Sequence, residues 1–281
     1  MPDTGLLISP TELSALSADP AVRIVDCRFN LMKPDSGRQQ YLDGHIPGAV
    51  FVDLDRDLAA PVAAGTGRHP LPDADEFAAT MGALGVTNDT EIIVYDEASG
   101  ALAARTWWLL RWAGHDKVRL LDGGITAWKA QGLPLEAGQT EPAAAEFQAR
   151  PRSELVLHTE EIVASGTAVQ QLQLVDARDA ARFDDKVEPI DTVAGHIPGA
   201  LNLPFAAALH DDGTWRSPDA LRRLWDDTLG DGAGAPWSVM CGSGVTACHL
   251  VVSGLLAGLP EPRVYVGSWS EWITDPERPV A

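Results

Sequence analysis

The residues best suited by type to do chemistry lie late in the chain, in the stretch VMCGSGVTACH at 239–249. A cysteine there follows a short apolar run, and small residues separate it from a second, longer apolar segment. If WSVM is a strand and TACHLVVSGLLAGL a helix, the backbone from Cys241 through Gly242, Ser243 and Gly244 to Val245 must turn sharply. The two glycines supply the positive φ that such a turn needs. Successive N–H groups of the loop, from Gly242 to Thr246, can then converge on one anion, and the helix beyond adds its positive end. A thiolate at Cys241 would be stabilised in that setting. The competing reading is a thiol packed as a small hydrophobe. A strand end followed by Gly-Ser-Gly is a poor place for core packing and favours the nucleophile. Cys248, inside the apolar helix pattern, reads as core, and so does Cys27 beside the first strand.

The loop also restricts the reaction. A cysteine phosphatase would need an arginine six positions after the nucleophile to hold a phosphoryl group bidentately. That position is Ala247, so phosphoryl transfer is disfavoured. Attack on a softer atom, sulfur, fits a stabilised thiolate in a compact loop.

Around this loop the chain is an ordinary soluble globular sequence with a strong acidic bias. Its 281 residues carry 40 Asp and Glu against 21 Lys and Arg, a formal charge of −19. Such a field repels nucleic acid and anionic lipid, so neither is an expected partner. An anionic substrate would need a local positive pocket. Three cysteines without a Cys-x-x-Cys pair, and histidines away from zinc spacings, point to no metal site, and no cofactor motif is present. No apolar run is long enough to span a membrane. The N-terminus, MPDTGLLISPTELSALS, has no basic start and no long apolar core, so no leader is expected and the cytoplasm is the expected location.

The elements that must position the loop emerge from an internal duplication. RIVDCR (23–28) recurs as QLVDAR (173–178), and GHIPGA (44–49) as GHIPGA (195–200). IIVYDEASGALAART (92–106) aligns with WSVMCGSGVTACHL (237–250), which sets Asp96 opposite Cys241; RLLDGGITAW (119–128) aligns with RVYVGSWSEW (263–272). Two homologous domains follow, 1–135 and 156–281, joined by a linker at 136–155 rich in Ala, Pro, Glu and Gln. In each half, short apolar runs (IVDCR, AVFV, EIIVYD, VRLLD) alternate with helical patterns such as DEFAATMGALG and ALAARTWWLLRWAG. That alternation predicts an α/β fold, a central parallel sheet flanked by helices in each domain, with Trp107 and Trp108 as core. Ligands of such sheets bind beyond the carboxyl ends of the strands, where Cys241 lies. The first domain, with Asp96 for the cysteine, is read as non-catalytic.

The ordered set of motifs, GHIPGA twice, an aspartate in the first loop and CGSGVTA in the second, resembles the two-domain, tandem rhodanese sulfurtransferases over nearly the whole chain. The resemblance implies ping-pong transfer of a sulfane sulfur through a persulfide on Cys241. The uncharged Gly242-Ser243 is similar to the subfamily that uses 3-mercaptopyruvate, whereas thiosulfate-preferring members carry basic side chains there. The same resemblance implies that Ser243 works with a histidine and an aspartate from the first domain, matched by motif to His45 and Asp35. It further implies that Arg182 binds the substrate carboxylate among Gly242, Gly244, Val245 and Thr246, and that Phe29 forms an apolar wall. Asp191 stands where relatives often add a second arginine. The implied partners are a small-molecule sulfur donor and a thiol acceptor, a thioredoxin-like protein among the candidates, or cyanide. Thiosulfate sulfurtransfer is the alternative activity, and an idle rhodanese-like binding module the alternative class.

Overall fold

The computed structural model describes residues 5–232 and 235–281; the first four residues of the N-terminal stretch lie outside them. The chain divides into two compact units. Unit 1 takes in the chain up to Ala60, Pro72–Arg152 and His210–Trp215; unit 2 takes in Pro61–Leu71, Ser153–Leu209 and Arg216–Ala281. Two short segments therefore belong to the unit opposite to their half of the sequence.

Unit 1 holds strands β1 (Leu7–Ile8), β2 (Val22–Asp26), β3 (Val50–Phe51), β4 (Glu91–Tyr95) and β5 (Val118–Leu121). They pair in parallel in the order β1-β5-β4-β2-β3. Helices α1 (Pro10–Leu16), α2 (Ser36–Asp43), α3 (Ala74–Ala83), α4 (Ala103–Trp112) and α5 (Gly124–Ala130) flank the sheet. Ile24, Val25, Ile92, Ile93 and Val94 are buried, as a parallel sheet covered on both faces requires. Trp107 and Trp108 of α4 are fully buried in the core.

Unit 2 repeats the plan with β6 (Val156–Leu157), β7 (Leu174–Asp176), β8 (Leu201–Asn202), β9 (Ser238–Met240) and β10 (Arg263–Tyr265), all parallel, in the order β6-β10-β9-β7-β8. Its helices are α6 (Thr159–Ser165), α7 (Ala180–Phe183), α8 (Pro218–Leu229), α9 (Thr246–Leu256) and α10 (Ser268–Trp272). Leu157, Leu174, Ile197, Met240, Tyr265 and Trp269 pack into one buried cluster. The α/β fold is the one the alternation of patterns predicts. The edge strands β1 and β6 were not expected, because each is two residues long and lies outside the repeated motifs. Among the described residues no helix is long and apolar enough to cross a membrane.

The stretch 136–155, expected to be a linker, is laid along unit 1 through Arg152. Glu136 exchanges backbone hydrogen bonds with His45 (2.8 and 2.9 Å), and Ala145, Arg150 and Arg152 donate to the carbonyls of Gly82, Ala113 and Trp112. Its composition has no period because its backbone pairs residue by residue rather than as a strand or helix.

Both copies use the same lock between strand and turn. In unit 1, Arg28 Nε and Nη2 donate to Asp26, and Nη2 also donates to the Gly44 carbonyl at 2.8 Å. In unit 2, Arg178 bonds Asp176 and the Gly195 carbonyl, again at 2.8 Å. The aspartate ends a central strand and the glycine opens GHIPG, so the repeated VD-x-R motif fixes the repeated turn. Asp26 and Arg28 are 0% and 3% exposed, and breaking such a pair from one side costs about 3–5 kcal/mol. Asp26→Ala should therefore lower the urea midpoint, followed by tryptophan fluorescence, with a loss of unfolding free energy of that order. Lys117→Ala, which removes the exposed pair with Asp89, should leave the midpoint unmoved; equal effects would show that burial is not what gives the lock its weight.

Candidate active site

The loop after β9 is pinned by its backbone before any side chain is considered. Cys241 N donates to Ser268 Oγ at 3.0 Å, and the carbonyls of Cys241 and Gly242 accept from the amides of Trp269 (3.0 Å) and Ser270 (2.9 Å). With the main chain held, Cys241 Sγ accepts from Gly244 N at 3.1 Å and from Ser243 N at 3.4 Å. The sulfur is thus a buried acceptor at two peptide N–H groups, an arrangement that favours negative charge on it. Val245 precedes the first turn of α9 and is buried, while Thr246 opens the helix half-buried. Cys248 is fully buried in α9, its thiol donating to the Gly244 carbonyl at 3.3 Å.

The two loop glycines serve different ends. Gly244 has φ +76°, and a Cβ there would lie 2.3 Å from the Val266 carbonyl oxygen. Gly242 is not left-handed, contrary to the expectation that both glycines make the turn. A Cβ on Gly242 would instead stand 3.0 Å from Arg68 Nη2 and 3.7 Å from Arg182 Nη1 and Nη2. Its bareness keeps the backbone open to two guanidiniums.

Ser268 was not identified from the sequence. Its φ is +53°, the left-handed conformation that its repeat counterpart Gly124 adopts at +56°. For a residue with a Cβ this costs roughly 1–2 kcal/mol. The hydroxyl offsets it, donating to the Tyr265 carbonyl at 2.8 Å while receiving the Cys241 amide.

Ser243 Oγ lies 2.8 Å from Nδ1 of His69, and both residues are buried. His69, carried by the Pro61–Leu71 segment of unit 2, takes the place that the motif match gave to His45. His45 is engaged elsewhere: Nδ1 donates to the Tyr41 carbonyl at 2.8 Å, Nε2 faces Thr140 Oγ1 at 3.4 Å, and the ring stacks on Tyr41. His196 does the same in unit 2, donating to the Phe183 carbonyl at 2.9 Å and stacking on Phe183. Both GHIPG histidines are satisfied turn residues. Asp35 does not support His45 either; it is exposed at the start of α2, 3.7 Å from Arg56. Phe29 follows β2 half-buried.

Arg182, in α7, is held by two carboxylates. Nε and Nη2 bond Glu188 (2.8–3.1 Å), and Nη2 also bonds Asp191 Oδ2 at 2.9 Å. The other oxygen of Asp191 accepts from Arg68 Nη1. Burial by itself would raise the Glu188 carboxyl, but bonds from Arg182 and from the Asp191 and Ile190 amides hold it below the usual range.

The corresponding loop of unit 1 is filled from within. Asp96 accepts from the amides of Ala98, Gly100, Leu102 and Ala103 at 2.8–3.3 Å. Burial pushes its carboxyl up even against these four donors. Cys27 is no substitute nucleophile, since burial pushes its thiol up, with Thr106 Oγ1 at 3.2 Å opposing only in part. Among the described residues no group of three or more His, Cys, Asp or Glu is arranged to hold a metal ion.

The family model of the rhodanese-like domain matches twice, over residues 9–131 and 159–275. A Pseudomonas aeruginosa protein named "Probable 3-mercaptopyruvate sulfurtransferase" is 47% identical over 277 residues, 98% of this chain and 97% of that one. The thiosulfate sulfurtransferase of Gallus gallus is 35% identical over 256 residues, 90% of this chain and 86% of that one. The crystal structure of SseA from Escherichia coli, described with the rhodanese fold and the mechanism of 3-mercaptopyruvate sulfotransferases, matches with a TM-score of 0.83 at 35% identity, covering 94% of this chain and 98% of that chain.

Gly244→Ala tests the loop directly. The added Cβ meets the Val266 carbonyl and a left-handed φ at once, so stability should fall by about 1–3 kcal/mol. The rate of Cys241 alkylation, read by intact mass, should change with it as the N–H donors move off the sulfur. A variant with wild-type stability and wild-type alkylation would mean that Gly244 does not set the cradle.

Proposed function

Because the chain belongs to the rhodanese family, we propose that it is a sulfurtransferase that moves a sulfane sulfur from 3-mercaptopyruvate to a thiol or cyanide acceptor through a persulfide on Cys241. The observation that carries this reading is the Ser243–His69 hydrogen bond next to the thiol cradle. A donor whose leaving group needs a proton has a use for such a pair. Thiosulfate releases sulfite, a stable anion; mercaptopyruvate releases an enolate, which must be protonated to pyruvate.

In the first half-reaction the Cys241 thiolate attacks the donor sulfur. The Sγ–S bond forms, the C–S bond breaks, and its electron pair passes to the carbon, giving the enolate of pyruvate. Ser243, bonded to His69, delivers a proton to that carbon, acting as general acid. In the second half-reaction an acceptor nucleophile attacks the outer sulfur, and the Cys241 thiolate leaves into the N–H groups of Ser243 and Gly244, which stabilise the departing anion. Arg182 supplies the charge-assisted bonds for the donor carboxylate.

The alternative, a thiosulfate sulfurtransferase, draws on the Gallus gallus relative and on the guanidiniums beside Gly242. Glu188 and Asp191 neutralise those cations, which argues for a monoanionic donor. An idle binding module would have no use for a histidine held on Ser243. A cytoplasmic location and a thioredoxin-like thiol acceptor complete the reading.

Treatment with mercaptopyruvate should add one sulfur atom to the wild type, labile to cyanide, and none to Cys241→Ser. His69→Ala should lower kcat with mercaptopyruvate by roughly a hundredfold or more, the scale of general-acid assistance, and lower thiosulfate turnover far less. His45→Ala should act on stability and leave the ratio of the two donors alone. Equal losses with both donors in His69→Ala would remove the proton-delivery role, and a wild type that prefers thiosulfate would overturn the donor assignment.

A further inference from the structure

Arg68 has no part in the reaction as just described, yet it is placed against the reactive loop. Its amide donates to Ser270 Oγ at 3.0 Å, and the next residue, His69, meets Ser243. A Cβ on the preceding Gly67 would come within 2.6 Å of the Gly267 carbonyl oxygen, so residues 67–69 lie tightly on the elements that hold Cys241. From this fixed backbone the guanidinium reaches the bare face of Gly242, where Nη2 comes within 3.0 Å of the site a Cβ would take. Nη1 is taken by Asp191, while the Nε–H is buried and has no acceptor among the described residues. A buried donor without an acceptor is costly unless a ligand supplies one.

We propose that Arg68 is a second donor-binding residue, which closes with Arg182 on the carboxylate of the sulfur donor, and that Asp191 sets the charge the pair presents. The proposal rests on the reading of Cys241 as the sulfur-transfer nucleophile. Two guanidiniums on one open backbone face match the forked geometry by which arginine binds a carboxylate. Their charge is balanced: Arg68 and Arg182 contribute two positive charges, Glu188 and Asp191 two negative ones. Asp191 bridges both arginines, one oxygen to each, and its side chain is 3% exposed. A cradle with donors to spare but no net charge recognises an anion by hydrogen-bond geometry. It gains little from a second negative charge on the ligand. The ligand class is a small monoanionic carboxylate, and a dianion such as thiosulfate is disfavoured by Asp191 rather than by any lack of arginine.

Three variants decide the matter: Arg68→Gln, Arg68→Lys and Asp191→Asn, each checked for wild-type circular dichroism. Arg68→Gln should raise KM for mercaptopyruvate about tenfold to a hundredfold, the scale of a charge-assisted hydrogen bond, with kcat nearly unchanged. Arg68→Lys keeps the charge without the fork and should recover part of that loss. Asp191→Asn should raise the kcat/KM ratio of thiosulfate to mercaptopyruvate by about tenfold as the cradle becomes cationic. Pyruvate should protect Cys241 of the wild type from iodoacetamide, with the half-protecting concentration raised in Arg68→Gln as KM is. Folded Arg68→Gln with unchanged KM and unchanged protection, or with a loss confined to kcat, overturns the assignment of Arg68. An unmoved donor ratio in Asp191→Asn overturns the role of Asp191. Protection is read without turnover, so it decides on Arg68 even if the wild type takes sulfur from neither donor, the outcome that would remove the sulfurtransferase reading instead.

Discussion

Unit 2 is organised along a row of alternating charges that starts at the end of a central strand and finishes beside the thiol. Asp176 meets Arg178 at 2.7 Å, Arg178 lies 3.6 Å from Glu188, Glu188 bonds Arg182 at 2.8 Å, and Asp191 joins Arg182 to Arg68. An ion taken out of water costs several kcal/mol unless a partner and further hydrogen bonds compensate it. Each member of the row is the compensation for its neighbours, so none can turn away alone. The row also reaches the rest of the unit. Arg178 bonds the Gly195 carbonyl of the GHIPG turn and lies over Trp269, 4.7 Å from the ring centroid, where the Trp269 amide holds the Cys241 carbonyl. Arg68 lies next to the histidine on Ser243. Cys241, His69 and the Arg68–Arg182 pair therefore all lie close to one row of charges that begins with an aspartate at a strand end. In unit 1 the equivalent row stops after one step, since Arg28 finds Glu97 only at 4.0 Å and largely in solvent.

What the sequence makes legible follows how far each feature is local. The alternation of buried runs with helical patterns and the cysteine at the end of β9 depend on neighbours within a few residues, the duplication on motifs that are each that short, and the α/β fold follows from them. Gly244 was legible for the same reason, as a turn needs its glycine at the turn. His69, Arg68 and Ser268 were not, because each acts on the loop from a distant part of the chain. The motif match chose His45 because it tracked GHIPG, and that motif's histidine is committed in both copies to a backbone carbonyl beneath a stacked ring.

A signal for the missed residues was nonetheless present. Carried into the loops, the repeat sets GTGRHPLPD (65–73) beside GTWRSPD (213–219); the copies share the arginine, Arg68 and Arg216, but differ at the next position, where His69 stands against Ser217. The segments around these two sequences are the ones that each half contributes to the opposite unit, Pro61–Leu71 and His210–Trp215. Trp215 donates its amide to Asp122 and sits 3.7 Å from where a Cβ on Gly100 would be, in the loop of Asp96. At His69 the difference between otherwise similar loops is a better guide to the candidate site than the motif the repeats share.

The filled loop of unit 1 bears on what each copy can hold. Asp96 gives its two oxygens to four peptide N–H groups, so the loop that in the other copy waits on a transferable anion here keeps a permanent one. A cysteine restored at that position would offer a single sulfur to the same four donors and leave some of them buried without an acceptor. Exchange of aspartate and cysteine at this position thus changes the hydrogen bonding of the whole loop. The two loops are built for different occupants: four donors converge on a carboxylate in unit 1, two on a sulfur in unit 2.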